Sequence, residues 1–243
     1  MKGVILAGGE GTRLFPCTSV VNKHLLPIYN KPMIFYPLET LIKAGCKEIL
    51  VVTGSKNPGE FLKLLGNGKK FGLDSILYAY QDKAGGIPEA LHLAKSFVGN
   101  EKFCLILGDN LIFDDLSGHF KQFLNEPIGS AKVFIKDVDN PTSFGVAEIK
   151  NNKIISVEEK PKQPKSNFAI IGVYFFDGTV FDIIPTLKPS ARGELEIPDV
   201  IKHYIDKNQL TYGKLDFKWL DTGSFASLQE ANQIIADYNK KKN

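Results

Sequence analysis

Through its first half the chain alternates short, continuously apolar runs with segments of helical spacing. Val4-Ile5-Leu6-Ala7 stops at Gly8-Gly9, Glu48–Thr53 follows with the sequence EILVVT, Ser75–Tyr80 comes next, and Phe103–Leu107 stops at Gly108-Asp109. Runs of this length that are apolar at every position read as strands buried on both faces. Between them, residues 40–44 (with Leu38 and Leu41), 59–65 and 88–97 carry apolar residues at helical spacing, the first stopped by Gly45. Strands alternating with helices predict an α/β fold: a doubly wound, mixed but mainly parallel sheet of Rossmann-like type.

The texture changes after residue 130. Residues 131–138, 144–149, 153–158 and 169–176 are strand-like, and Asn151-Asn152 and the proline-rich stretch 161–164 mark turns between them. These strands are expected to add mixed or antiparallel pairing over the open end of the first half, as a smaller lobe, and residues 224–238 read as a closing amphipathic helix. No stretch reads as a flexible linker. The expectation is one domain over 1–243, with a first lobe to about residue 130 and a second from about 131.

Composition narrows the function. Thirty basic and 27 acidic residues leave a net charge of +3, too balanced for a nucleic-acid-binding surface. No apolar run reaches the roughly 18 residues of a membrane span. The apolar start at Met1 is too short for a secretion signal and reads as the first strand. Cys17, Cys46 and Cys104 are odd in number and widely spaced, matching neither a disulfide framework nor a zinc site. A cytoplasmic location is expected. The pattern does not separate interface from core; a homo-oligomer is the expected state.

The chemistry begins at Leu6-Ala7-Gly8-Gly9-Glu10-Gly11-Thr12-Arg13-Leu14. A glycine-rich turn after a buried strand lets backbone N–H groups crowd round an anion, and Arg13 adds a planar donor fork for phosphate. Position 14 is Leu, so the dinucleotide pattern Gly-x-Gly-x-x-Gly fails, and no Gly-Lys-Ser/Thr ending follows. About twenty residues on, where a dehydrogenase would carry an acidic residue, the chain has Asn30-Lys31-Pro32. Asp109 closes a buried strand, where it either caps the next turn or points into the ligand crevice. Asp221 either caps the last helix or supplies a second carboxylate, and Thr222 and Ser224 are the better caps.

Gly-Gly-Glu-Gly-Thr-Arg-Leu-Phe-Pro, then Lys-His-Leu-Leu-Pro-Ile, then Lys-Pro-Met-Ile-Phe-Tyr-Pro-Leu, all within residues 3–38, closely resemble the start of the sugar nucleotidyltransferases. Within that family the chain is most similar to the thymidylyltransferase branch, and the likeness runs to about residue 231. It implies dTTP and glucose 1-phosphate as substrates, an in-line transfer that releases pyrophosphate, and Mg²⁺ as cofactor. Uridylyl transfer from UTP is the nearest alternative. A non-catalytic regulatory relative should lack one of Arg13, Lys23, Asp109 or Asp221, and all four are present.

Residue by residue, the resemblance implies that Leu6, Gly8, Gly9, Gly11, Thr12 and Arg13 wrap the triphosphate. Arg13 and Lys23 stabilise the α-phosphate and the departing pyrophosphate. Gln81 and Gly86 meet the base, and Asn110 belongs to the nucleotide site. Asp109 and Asp221, in Leu-Gly-Asp-Asn and Trp-Leu-Asp-Thr-Gly, hold the metal. Lys160 takes the sugar phosphate, Glu159 the sugar hydroxyls, and Gly145 and Val173 line the sugar pocket. Arg192 either reaches a phosphate or forms a structural ion pair. One departure stands out: the family carries a small residue and Gln after the base-contacting glycine, whereas here Pro88-Glu89 follow Gly86-Ile87. Pro88 suits a first helical turn and Glu89 the positive end of the helix. The chain also resembles the short family form, without the further helical extension that serves assembly and regulation.

Overall fold

A computed structural model describes residues 1–54, 56–215 and 218–240. Among the described residues one nine-stranded sheet runs through the molecule. Its centre is parallel. Lys2–Ala7 lies between Glu48–Thr53 and Phe103–Leu107, and Ser75–Tyr80 flanks Glu48–Thr53. Beyond Phe103–Leu107 the direction reverses. Phe168–Phe176 pairs antiparallel with it and with Ala131–Asp137, and Gly145–Lys150 and Lys153–Glu159 continue antiparallel to the edge. The sheet is thus mixed, with a parallel run at its heart, as the apolar runs predict.

Both faces of the inner strands are buried, which explains why Lys2–Ala7, Glu48–Thr53 and Phe103–Leu107 lack polar alternation. In the first strand Val4 and Leu6 join a core with Leu50, Leu105 and Phe176, while Ile5 and Ala7 join another with Ile49, Val51 and Ile106. Strand side chains alternate between faces, so a run apolar at every position is what two cores require. Phe35–Lys43 and Pro58–Leu65 cover one face, and Ile87–His92 and Ile197–Asp206 the other. The helix expected over 88–97 is two short pieces, Ile87–His92 and Lys95–Val98.

A third, smaller cluster of Ile28, Met33, Tyr36, Leu111, Leu220, Ala231 and Ile235 seats the closing helix Phe225–Lys240. Ser224 caps that helix by exchanging hydrogen bonds with Ser227, its Oγ accepting from the Ser227 N–H at 3.2 Å. Asp221 is therefore not needed as the cap. No described helix is long and apolar enough to cross a membrane.

Candidate active site

The parallel strands all end on one edge, and their next residues are Gly8, Gly54, Gln81 and Gly108-Asp109. Ligands of open α/β sheets bind outside this carboxyl edge. Gly8 and Gly54 touch backbone to backbone, and a side chain on Gly54 would collide with the Gly8 carbonyl. Gly11 has φ 68°, in the left-handed region, where glycine carries no Cβ penalty. The loop therefore curls tightly before the short 3-10 turn Thr12–Leu14, which starts to bring Arg13 over the site.

A cavity of about 370 Å³ opens along this loop, lined among others by Leu6, Gly8, Gly9, Gly11, Thr12, Lys23, Gln81, Gly86 and Asp109. A second, of about 260 Å³, shares Asp109 and is lined by Arg13, Asn110, Gly145, Glu159, Lys160, Gly172, Tyr174 and Asp221 among others. A third space, with Thr12, Arg13, Lys23, Glu159 and Lys160 in its wall, bridges the two at their mouth. Of the site residues expected from sequence, Val173 lines none of these spaces. Its side chain is fully buried with Ile171 and Phe175 in the core on the other face. Strand alternation is the reason: Gly172 and Tyr174, one residue to either side, take the pocket wall.

Asp109 and Asp221 come together through a small antiparallel pair, Asn110–Ile112 with Trp219–Asp221, in which Asp221 registers with Asn110. Thr222 then ties back to Asp109, 113 positions earlier. Lys23 Nζ lies 2.5 Å from Asp109 Oδ2, with both side chains largely buried. The other oxygen, Oδ1, accepts from Asn110 Nδ2 at 3.0 Å. Asn110 is fixed in turn, since its Oδ1 accepts from the Gly172 N–H at 3.0 Å and from Trp219 Nε1 at 2.6 Å. Asn110, expected in the nucleotide site, lines the second cavity, and its amide brackets Asp109.

Electrostatics follow from this wiring. Burial alone would raise the Asp109 carboxyl, but the charge and hydrogen bond of Lys23, with help from His24 and Asn110, hold it below the usual carboxylate range. Asp221 goes the other way, to about 6: burial raises it first, the neighbouring Asp109 charge next, and Lys23, Arg13 and the Gly223 N–H only partly oppose them. His24, wholly buried, is lowered to about 3 by desolvation and then by Lys23. Its ring is neutral, and Nδ1 lies 2.8 Å from Asn22 Oδ1.

Among the described residues no group of three or more His, Cys, Asp or Glu is arranged to hold a metal. Two carboxylates pressed together at the cavity junction are a different donor set. They are hard oxygens, and the Asp109 charge acts on Asp221 despite Lys23 and Arg13, which suits Mg²⁺ completed by phosphate oxygens and water.

In the second cavity Glu159 is raised mainly by burial, with Lys160 opposing. Lys160 Nζ is 3.7 Å from its carboxylate, and Lys160 is half-exposed at the mouth. Arg192 resolves toward the ion pair, since it grips Glu196 through Nε and Nη2 at 2.7–3.1 Å. Sequence reasoning missed His24, Ile87, Tyr174, Ile201 and Trp219, all of which line the two main cavities. His24 sits inside the recognisable Lys-His-Leu-Leu-Pro stretch and Trp219 inside Trp-Leu-Asp-Thr-Gly, so both carry a signal in the sequence.

Comparison with known proteins agrees with this geometry. The nucleotidyl transferase family model matches residues 2–238. Glucose-1-phosphate thymidylyltransferase of Neisseria meningitidis is 46% identical over 97% of this chain and 82% of its own length. That of Mycolicibacterium smegmatis is 44% identical over the same shares. A Bacillus anthracis crystal structure assigned to the same enzyme and solved with sucrose superposes with a TM-score of 0.91 at 48% identity, over 96% of this chain and 94% of that one. UDP-glucose pyrophosphorylase solved with UDP-glucose superposes at 0.83 with 25% identity, over 98% of both chains. On these matches the chain belongs to the nucleotidyl transferase family, among the glucose-1-phosphate thymidylyltransferases.

Proposed function

We propose that the protein transfers dTMP from dTTP to glucose 1-phosphate, giving dTDP-glucose and pyrophosphate. The observation that carries this reading is the meeting of two cavities at Asp109: one has the glycine loop and Gln81, the other Gly145, Glu159 and Lys160. The names of the Neisseria and Mycolicibacterium relatives support the choice of substrates.

In this reading an oxygen of the sugar 1-phosphate attacks the α-phosphorus of dTTP. The new P–O bond forms as the bond to the β-phosphate oxygen breaks, and pyrophosphate carries the electron pair away. The protein forms no covalent bond. It positions two polyanions and offsets the charge that develops. The loop from Gly8 to Thr12 wraps the triphosphate, Arg13 and Lys23 draw on its α-phosphate and leaving group, and Lys160 holds the incoming phosphate. Glu159 accepts from sugar hydroxyls, and the wall beside it is shaped by Gly145, Gly172 and Tyr174. Asp109 and Asp221 would hold Mg²⁺, which when bound serves as a template for the phosphates and neutralises their charge.

The test is pyrophosphate release with glucose 1-phosphate and Mg²⁺, comparing dTTP, UTP, CTP, ATP and GTP. Release strongest with dTTP and abolished by chelation is expected. Release strongest with UTP would replace dTMP by UMP in the scheme and leave the geometry unchanged. No release with any nucleotide overturns the reading.

A further inference from the structure

The glycine loop is held from behind. Thr18 Oγ1 donates to the Gly11 carbonyl at 2.8 Å, and Lys56 Nζ reaches the Glu10 carbonyl at 3.5 Å. Neither Thr18 nor Lys56 lines the three spaces of the site. In a trans peptide the carbonyl and the following N–H point in opposite directions. The N–H groups of Gly11 and Thr12 therefore turn toward the first cavity, which both residues line. Among the described residues neither N–H has an acceptor in the protein. Two successive free N–H groups in a turn make a concave seat for an anion.

Lys56, just past the strand Glu48–Thr53, ties the two legs of this loop together. Its Nζ also donates to the Thr18 carbonyl at 3.0 Å, so one ammonium spans Glu10 and Thr18, 46 and 38 positions away. Thr18 is buried and gives that leg a fixed footing. The backbone of Lys56 is anchored in turn: Asn22 Nδ2 donates to its carbonyl at 3.4 Å and to the Ala7 carbonyl at 3.3 Å. Among the described residues Lys56 pairs with no carboxylate. A lysine ordinarily keeps its ammonium in water; this one is half-buried and taken up by backbone carbonyls. A charged donor binds a carbonyl more strongly than a neutral one and polarises the peptide beyond it.

We infer that Lys56 is a positioning residue for the phosphate loop, holding the Glu10–Gly11 peptide with its N–H presented to the triphosphate. The inference rests on the nucleotidyl-transfer reading above. Lys56 touches no substrate and acts through the backbone it grips. Its effect belongs to the nucleotide and not to the sugar phosphate, because Glu10, Gly11 and Thr12 line the first cavity and are absent from the wall of the second. Without the ammonium the Glu10–Gly11 peptide is free to rotate, and its carbonyl can then face the phosphates in place of the N–H.

The experiment measures pyrophosphate release with Mg²⁺ at varied dTTP and, separately, at varied glucose 1-phosphate, together with each protein's melting temperature. It compares wild type, Lys56→Met and Lys56→Arg. Lys56→Met keeps the stem and removes the donor. It is expected to raise KM for dTTP by about fivefold or more, the scale of one hydrogen bond to a charged group, and to leave KM for glucose 1-phosphate as it is. Lys56→Arg should recover most of the loss, since a guanidinium fork can span both carbonyls. An unchanged KM for dTTP in Lys56→Met overturns the inference. So does an equal rise in both KM values with a lower melting temperature, or a Lys56→Arg variant no better than Lys56→Met. In each of those cases the transfer reaction of the wild type stands. A wild type that releases no pyrophosphate overturns the transfer reading instead, and calorimetric titration of the same three proteins with dTTP then decides the role of Lys56: weaker binding in Lys56→Met alone upholds it, and equal binding overturns it.

Discussion

Thr222 gives both of its donors to one acceptor: its backbone N–H reaches the Asp109 carbonyl at 3.0 Å and its Oγ1 the same oxygen at 2.8 Å. Thr222 is fully buried. This double clasp holds the strand Trp219–Asp221 against Asn110–Ile112 and so sets Asp221 beside Asp109. It is the place where the end of the chain is sewn to the middle of the sheet.

Thr222→Val keeps the shape and the backbone bond but removes the hydroxyl. Loss of one buried hydrogen bond is expected to lower unfolding free energy by about 1–2 kcal/mol, read as a shift of the urea midpoint at constant slope. Turnover should fall more than glucose 1-phosphate binding does, because the aspartate pair loses register while the sugar cavity does not involve Thr222. Unchanged stability and turnover would remove the clasp from the account.

Asn110→Asp tests the bracket behind Asp109. Trp219 Nε1 and the Gly172 N–H can still donate to the new carboxylate. The donor that faced Asp109 Oδ1 becomes an acceptor, which sets two negative oxygens together in a buried place. Turnover is expected to drop by about a hundredfold, on the scale of losing one preorganised donor, with circular dichroism unchanged. Gly172→Ala should echo it from the other side, since a Cβ there would lie 2.7 Å from Asn110 Nδ2. If Asn110→Asp turns over normally, Asn110 does not orient Asp109.

How much of this was legible in the chain divides along physical lines. Strands such as Glu48–Thr53 and Phe103–Leu107 are plain because burial on both faces leaves no polar residue in the middle, while Ser75–Tyr80, at the sheet edge with Leu77 and Tyr80 exposed, is legible from its β-favouring residues. Gly8 to Arg13 is plain because its chemistry sits in one contiguous turn. The helices Ser117–Leu124 and Ile197–Asp206 and the strand Leu210–Lys214 went unread. The signal is present for Ile197–Asp206, whose Ile197, Val200, Ile201 and Tyr204 recur at helical spacing and are buried together, whereas Gly118 and Gly213 weaken the local propensity of the other two. Val173 was read one residue off the pocket, because a family motif fixes the strand and only the pleat fixes the face. The Asn110–Trp219 and Thr222–Asp109 links are invisible to any local pattern, since they join residues more than a hundred positions apart.

Lys23→Met removes the cation that neutralises Asp109 and leaves the aliphatic stem in place. Breaking a buried pair by deleting one partner costs about 3–5 kcal/mol, so the melting temperature of the metal-free protein is expected to fall clearly. Turnover should fall by about a hundredfold to a thousandfold. Lys23→Arg should recover much of the stability but little of the rate, because a guanidinium fork does not replace an ammonium point charge at the site. Full activity in Lys23→Met would take Lys23 out of the proposed transfer.

Asp221→Asn separates folding from catalysis most cleanly. Burial and the Asp109 charge both penalise the Asp221 carboxylate, while its hydrogen bond from the Gly223 N–H at 3.0 Å is one that an asparagine oxygen can accept equally well. Without metal the variant is therefore expected to be more stable than wild type, by on the order of 1 kcal/mol at neutral pH. Its turnover should collapse, and Mg²⁺, expected to raise the melting temperature of the wild type, should leave that of the variant unchanged. Chelation of the wild-type enzyme should stop pyrophosphate release and return its melting temperature to the metal-free value. A variant that keeps both its activity and its Mg²⁺-dependent stabilisation would show that the paired aspartates serve the fold alone.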